Sequence, residues 1–184
     1  MNKRFYCIVL IGIVLAGCAP APTVYYKPKA TGGKLTRTYD DESELIAPRD
    51  GIKFEWDGVK ITISGHQSSM VINLGILCGT MASFLSSEIK IYDALGAEDI
   101  LYFNEICHQG SKREGRVCLY PTDTMKGVKR RVSNRFEIHV NFDLKQTDQY
   151  RLQLPSMWIN GKIFKFPEIE FTKEVGFRVF QFCL

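Results

Sequence analysis

Residues 51–64 read GIKFEWDGVKITIS. Apolar Ile52, Phe54 and Trp56 alternate with Lys53 and Glu55. Val59, Ile61 and Ile63 then alternate with Lys60, Thr62 and Ser64. Alternation with period two marks a half-buried strand, because successive side chains point to opposite faces of a sheet. Asp57-Gly58 stands between the two runs. That pair suits a two-residue type I′ turn, in which both positions need positive φ. The stretch therefore predicts a β-hairpin with one dry face and one wet face.

The same signals recur outward from this hairpin. Asn160-Gly161, the other favoured turn pair, separates Met157–Ile159 from Lys162–Phe166 and predicts a second hairpin. Phe136, Ile138, Val140, Phe142 and Leu144 alternate with Glu137, His139, Asn141 and Asp143, as in a long half-buried strand. Tyr150, Leu152 and Leu154 alternate with Arg151 and Gln153, and Pro155 then predicts an edge or a bend. Val175–Cys183 is apolar on both faces, which predicts a central or covered strand. Met70–Leu77, Glu88–Tyr92, Ile100–Ile106 and Val117–Tyr120 read as further strands, and residues 80–87 read either way. No long amphipathic helix is present. About eight to ten strands at this turn spacing predict an all-β fold. The expectation is a single two-sheet antiparallel β-sandwich over residues 49–184. An immunoglobulin-like topology is one form of it, and a small barrel is the alternative.

Composition sets the limits. The 184 residues are 45% hydrophobic, 24% charged and 12% aromatic, which suits one domain with or without a tail and excludes a wholly disordered chain. A net charge of +4 is too small for a dedicated nucleic-acid binder. No internal repeat or heptad period is present.

The first residues are an address. Lys3 and Arg4 form a basic start, Phe5–Leu15 is almost unbroken apolar sequence, and small Ala16 and Gly17 lead to Cys18. This is the layout of a secretory signal. Its apolar run is too short to remain as a spanning helix, which needs about 20 residues. Leu15-Ala16-Gly17-Cys18 resembles the lipobox of bacterial lipoproteins. The resemblance implies cleavage after Gly17, a diacylglycerol on the Cys18 thiol and acylation of the new amino terminus. It covers the targeting segment alone. Several acyl chains on one residue make a firm anchor, whereas a single chain is marginal. Under the enterobacterial sorting rule, Ala19 in place of an Asp leans towards the outer membrane, with the domain facing the periplasm. Losing Lys3 and Arg4 with the signal leaves 22 basic against 20 acidic side chains, a mature charge of +2.

Residues 18–48 are broken by Pro20, Pro22, Pro28, Gly32, Gly33 and Pro48, and read as a flexible lipidated tether. The acidic cluster Asp40, Asp41, Glu42 and Glu44 at its end reads as a solvated segment. After processing, four cysteines remain besides the lipidated one: Cys78, Cys107, Cys118 and Cys183. An even number in an exported chain predicts two disulfides. Of the three pairings, Cys107 with Cys118 and Cys78 with Cys183 is the most economical. No C-x-x-C accompanies Cys107-His108 and Cys118, so no metal site or other cofactor is expected.

No catalytic constellation emerges. His66 and Ser68 lack an elbow motif or an oxyanion loop. His108 lies in the loop that Cys107 and Cys118 would close, and His139 falls on a wet face. Ser87-Glu88-Ile89-Lys90 matches S-x-x-K without its partner motifs and on a segment that reads as strand. Asp93, Glu98 and Asp99 around Gly96 fit no calcium-loop spacing. Two basic runs, Lys112, Arg113 and Arg116, then Lys126, Lys129, Arg130 and Arg131, would form a positive binding patch if the fold joined them. The expectation is a non-catalytic, membrane-anchored envelope lipoprotein. Its domain would act as a binding or assembly module on another envelope protein, with no nucleic-acid partner. The alternatives are a hydrophobic-ligand carrier with a cavity between the sheets and, behind it, an envelope enzyme.

Overall fold

The computed structural model describes residues 21–37, 44–46, 48–66, 68–108, 117–127, 134–142 and 147–180. These contain seventeen strands and no helix. In chain order they are β1 (Ala21–Lys29), β2 (Lys34–Thr36), β3 (Glu44–Ile46), β4 (Gly51–Trp56), β5 (Val59–Gly65) and β6 (Ser69–Ile76). Next come β7 (Met81–Phe84), β8 (Glu88–Asp93), β9 (Glu98–Tyr102), β10 (Ile106–His108), β11 (Val117–Leu119) and β12 (Met125–Lys126). The last are β13 (Asn134–Asn141), β14 (Gln149–Gln153), β15 (Met157–Ile159), β16 (Lys162–Phe164) and β17 (Ile169–Phe180). The fold is all-β and antiparallel, consistent with a β-sandwich.

Two large sheets carry the core. One has the order β11-β10-β13-β6-β5-β4-β2. Its inner face is a set of cross-strand rows, Ile52-Ile63-Ile72-Ile138 and Phe54-Ile61-Leu74-Phe136. The other has the order β1-β17-β14-β8-β9, with β3 joined to the far end of β17. Its inner rows are Ile91-Leu152-Ile169 and Tyr150-Phe171-Pro28. The aliphatic members of these rows are buried, as period-two alternation requires. The sheets meet where Gly65 of β5 lies against Tyr150 and Phe171, a place with no room for a Cβ. A smaller sheet, β12-β7-β15-β16, adds Ala82, Phe84, Met125, Met157 and Ile159 to the same core.

Both predicted hairpins form. Asp57 and Gly58 have φ of 41° and 86°, and Asn160 and Gly161 have 47° and 89°, as a type I′ turn demands. The two turns touch. Asn160 Oδ1 accepts the Met81 N–H at 3.0 Å, and Asn160 Nδ2 donates to the Asp57 carbonyl at 3.3 Å.

Four expectations change. A third, small sheet accompanies the expected two, and the strands outnumber the expected eight to ten because many are only three or four residues long. Of the edge or bend expected at Pro155, the edge is not found, since β14 ends at Gln153 and lies between β17 and β8. The tether expected over residues 18–48 contains β1, which pairs with β17 over nine residues. Among the described residues, strand pairing is therefore already present from Ala21, before residue 49. Proline is tolerated because β1 is an edge strand. Pro22 and Pro28 share a parity, and alternate N–H groups on an edge strand face away from the ladder. Finally, the C-terminal strand is covered only over its first part, as described next.

Candidate interaction surfaces

β17 is longer than its neighbour β14, which begins at Gln149 opposite Thr172. Beyond Thr172 the β1/β17 pair continues as a two-stranded ribbon to Ala21 and Arg178. Six residues of overhang correspond to about 20 Å of strand. One face of this ribbon continues the core face, on which Ile169, Phe171 and Tyr26 are buried. From the Val24/Val175 pair outward nothing covers it among the described residues. Val24, Val175 and Phe177 are 59%, 69% and 57% exposed. Val24 lies directly across from Val175, and exposed Pro22 lies across from Phe177. The four side chains form one apolar tile.

The opposite face is closed. A Cβ on Gly176 would come within 3.0 Å of the Tyr25 ring and 3.2 Å of Pro48, so both groups lie over that backbone. The Tyr25 hydroxyl donates to Glu174 Oε2 at 2.8 Å, and Lys27 Nζ lies 3.1 Å from Glu174 Oε1. Burial, reinforced by the Glu174 carboxylate, pushes the Tyr25 phenol up to about 12. The Tyr25 hydrogen bond, then Lys27, holds the Glu174 carboxyl below its usual range.

The residues singled out from the sequence are dispersed. Cys18 and Cys183 lie outside the described residues, as do Lys112, Arg113, Arg116, Lys129, Arg130 and Arg131. Lys126 is exposed on β12. Cys107 and Cys118 are directly opposed on β10 and β11, with Cα atoms 4.0 Å apart, and form the expected disulfide. Glu105 lies beside them, but sulfurs bonded to each other are not thiolate ligands. Cys78 is exposed in the turn after β6 and has no disulfide among the described residues, and Cys183, its expected partner, lies outside them.

The histidines are not brought together. His66 caps the β5–β6 turn, its N–H donating to the Ser69 carbonyl at 2.7 Å. His108 lies edge-on to Phe136 with ring centres 5.3 Å apart. His139 Nε2 is 3.1 Å from Glu137 Oε1 on the wet face of β13. Lys90 lies on a strand and pairs with Glu98 at 2.9 Å. Asp93 is occupied by its own turn, its Oδ1 accepting from the N–H groups of Leu95 and Ala97 at 2.9 and 2.8 Å.

Two surface grooves lie among the described residues. One of about 340 Å³ runs between Lys27–Ala30 and Glu170–Glu174, floored by Ile52 and Leu35. Another of about 380 Å³ lies beside the first hairpin turn, between Trp56 and Leu77. Both mix charged rims with apolar floors.

No family model matches the chain, and no curated protein matches it. Among solved structures, "X-ray structure of Northeast Structural Genomics Consortium target SoR45" is 12% identical, over 83% of this chain and 84% of that one. Its TM-score of 0.28 is too low to inform fold or function.

The ribbon tile was missed from sequence. Val24, Val175 and Phe177 are visible as apolar residues, but their exposure depends on where β14 begins. Strand patterns do not reveal that.

Proposed function

We propose that the chain is a lipid-anchored envelope protein whose β-domain works as a non-catalytic binding or assembly module. The observation that carries this reading is the ordered series at the N-terminus: a basic start, an apolar run, and Leu15-Ala16-Gly17-Cys18. Cys18 holds the lipid, and Ala19 favours an outer-membrane address with the domain in the periplasm. The dispersal of the histidines fits recognition better than catalysis. Recognition by exposed strand faces and edges is the common mode of such domains. The carrier alternative draws no support from the interior. There Tyr150 stacks on Phe171 at 4.9 Å, and Phe54, Trp56 and Phe166 contact one another.

The test is crosslinking in living cells, followed by purification through a C-terminal tag and mass spectrometry. A Cys18→Ser form exported by a non-lipid signal serves as control. A discrete envelope protein, enriched over the yield from an unrelated lipoprotein and lost in the control, is the expected result. No enriched protein would contradict the assembly role.

A further inference from the structure

We propose that the apolar tile of Pro22, Val24, Val175 and Phe177 seats on the lipid surface next to the anchor, so that the domain lies against the bilayer. The inference rests on lipidation at Cys18. Cys18 precedes the first residue of β1 by three positions. An extended chain covers at most about 3.3–3.6 Å per residue. Pro22, four positions on, therefore lies within about 14 Å of the lipidated sulfur's own Cα. A long tether would let the domain point anywhere. A link this short holds the β1 end of the ribbon at headgroup level.

What the ribbon presents there is suited to that place. Its open face carries four apolar side chains in two direct cross-strand pairs, and its other face is already closed by Tyr25 and Pro48. The rest of the sheet end agrees. Asp93 is level with Tyr150 and Phe171, so the β8–β9 turn projects towards the same end as the overhang. Leu95 at that turn is 95% exposed. A protein partner on the tile would have to fit beside the headgroups. The bilayer is already there, held at high effective concentration by the anchor. Apolar side chains on such a surface settle about 5–10 Å into the boundary between headgroups and acyl chains.

The test uses the full chain, processed in bacterial cells and reconstituted into vesicles of phosphatidylethanolamine and phosphatidylglycerol. Val175→Cys carries an environment-sensitive fluorophore in a Cys78→Ser, Cys183→Ser background. Val24→Cys serves as a second probe, and both sites are already exposed to solvent. Tyr102→Cys is the control, 60% exposed at the opposite end of the same sheet. By register it is nine residues, or about 30 Å, from Val175. Nitroxide lipids should quench the probes at 175 and 24 about two-fold or more and leave the probe at 102 near its unquenched level. Equal weak quenching at all three sites, with the protein floating with the vesicles, would overturn the docking while leaving the anchor intact. A blue shift at 175 without vesicles would assign the tile to a second copy and also overturn it. Failure to float, with an unmodified Cys18 thiol by mass, would remove the lipidation reading and the docking with it.

Discussion

Substituting Gly65 by alanine tests the packing between the two large sheets. Gly65 closes β5, and no positive φ is involved, so the effect is steric. The new Cβ would fall on the Tyr150 hydroxyl and within 2.8 and 2.9 Å of two Phe171 ring carbons. Neither ring can retreat. Tyr150 and Phe171 are 1% and 0% exposed and stack with ring centres 4.9 Å apart. Tyr26 and Phe142 brace Tyr150 at 5.4 and 5.7 Å. Overpacking costs about 1–3 kcal/mol, and rings held on several sides put this site near the upper end. Restricting the unfolded chain offsets about 0.4–1 kcal/mol, so G65A should lose about 2 kcal/mol. In a chain of this size each kcal/mol shifts Tm by about 2–4 °C, so Tm should fall by about 4–8 °C.

The Tyr150 hydroxyl is buried without a hydrogen-bond partner among the described residues. Tyr150→Phe should therefore be neutral to stabilising, by up to about 1 kcal/mol. It also removes the atom nearest the new Cβ, so the two changes should couple by about 1 kcal/mol in a double-mutant cycle. Chemical and thermal unfolding of the single and double variants measures both numbers. A G65A protein as stable as the parent, or the same loss with and without the Tyr150 hydroxyl, would refute the interface described.

Three further outcomes are expected. Reducing the Cys107–Cys118 bridge, or changing both to serine, should cost about 2–3 kcal/mol in the chain-entropy model, seen as a lower Tm with reductant. Asn160→Ala should cost about 2 kcal/mol, because alanine disfavours the 47° φ and two hydrogen bonds are lost, one to the Asp57 carbonyl of the other turn and one from the Met81 N–H of β7. Tyr25 is raised from 10.0 to about 12 in the fold, so its contribution is complete below pH 10 and fades as pH rises towards 12. Glu174 is depressed, so its contribution holds above its unfolded value of 4.5 and is lost as pH falls through its lower folded value. Tyr25→Phe should flatten the alkaline limb of the stability profile and weaken the acid one, which pH-dependent unfolding reads directly.

The parts of the fold legible in the sequence are those fixed by local chemistry. Asp57-Gly58 and Asn160-Gly161 form their turns because both positions need positive φ. The rows around Ile61 and Ile138 follow from alternation alone. The Cys107–Cys118 bridge was legible as the pairing that closes a short polar loop; the structure adds that the two residues face each other across β10 and β11. β1 was not legible, because Pro22 and Pro28 break strands in general but not along the free side of an edge. β7 was ambiguous because Ala82 and Ser83 give no strong pattern over four residues. The second half of β17 was misread for a different reason. Apolar residues on both faces suggested cover, yet cover depends on the length of a neighbouring strand. The ribbon tile follows from that mismatch. The short link between Cys18 and β1 turns an expected tether into an expected point of contact.

The measurement that tests the central claim most directly is the intact mass of the amino-terminal peptide of the chain taken from bacterial membranes. The account predicts a chain beginning at Cys18 and carrying a diacylglyceryl group with a further acyl chain on its amine. A chain that begins elsewhere, or begins at Cys18 with an unmodified thiol, would contradict it.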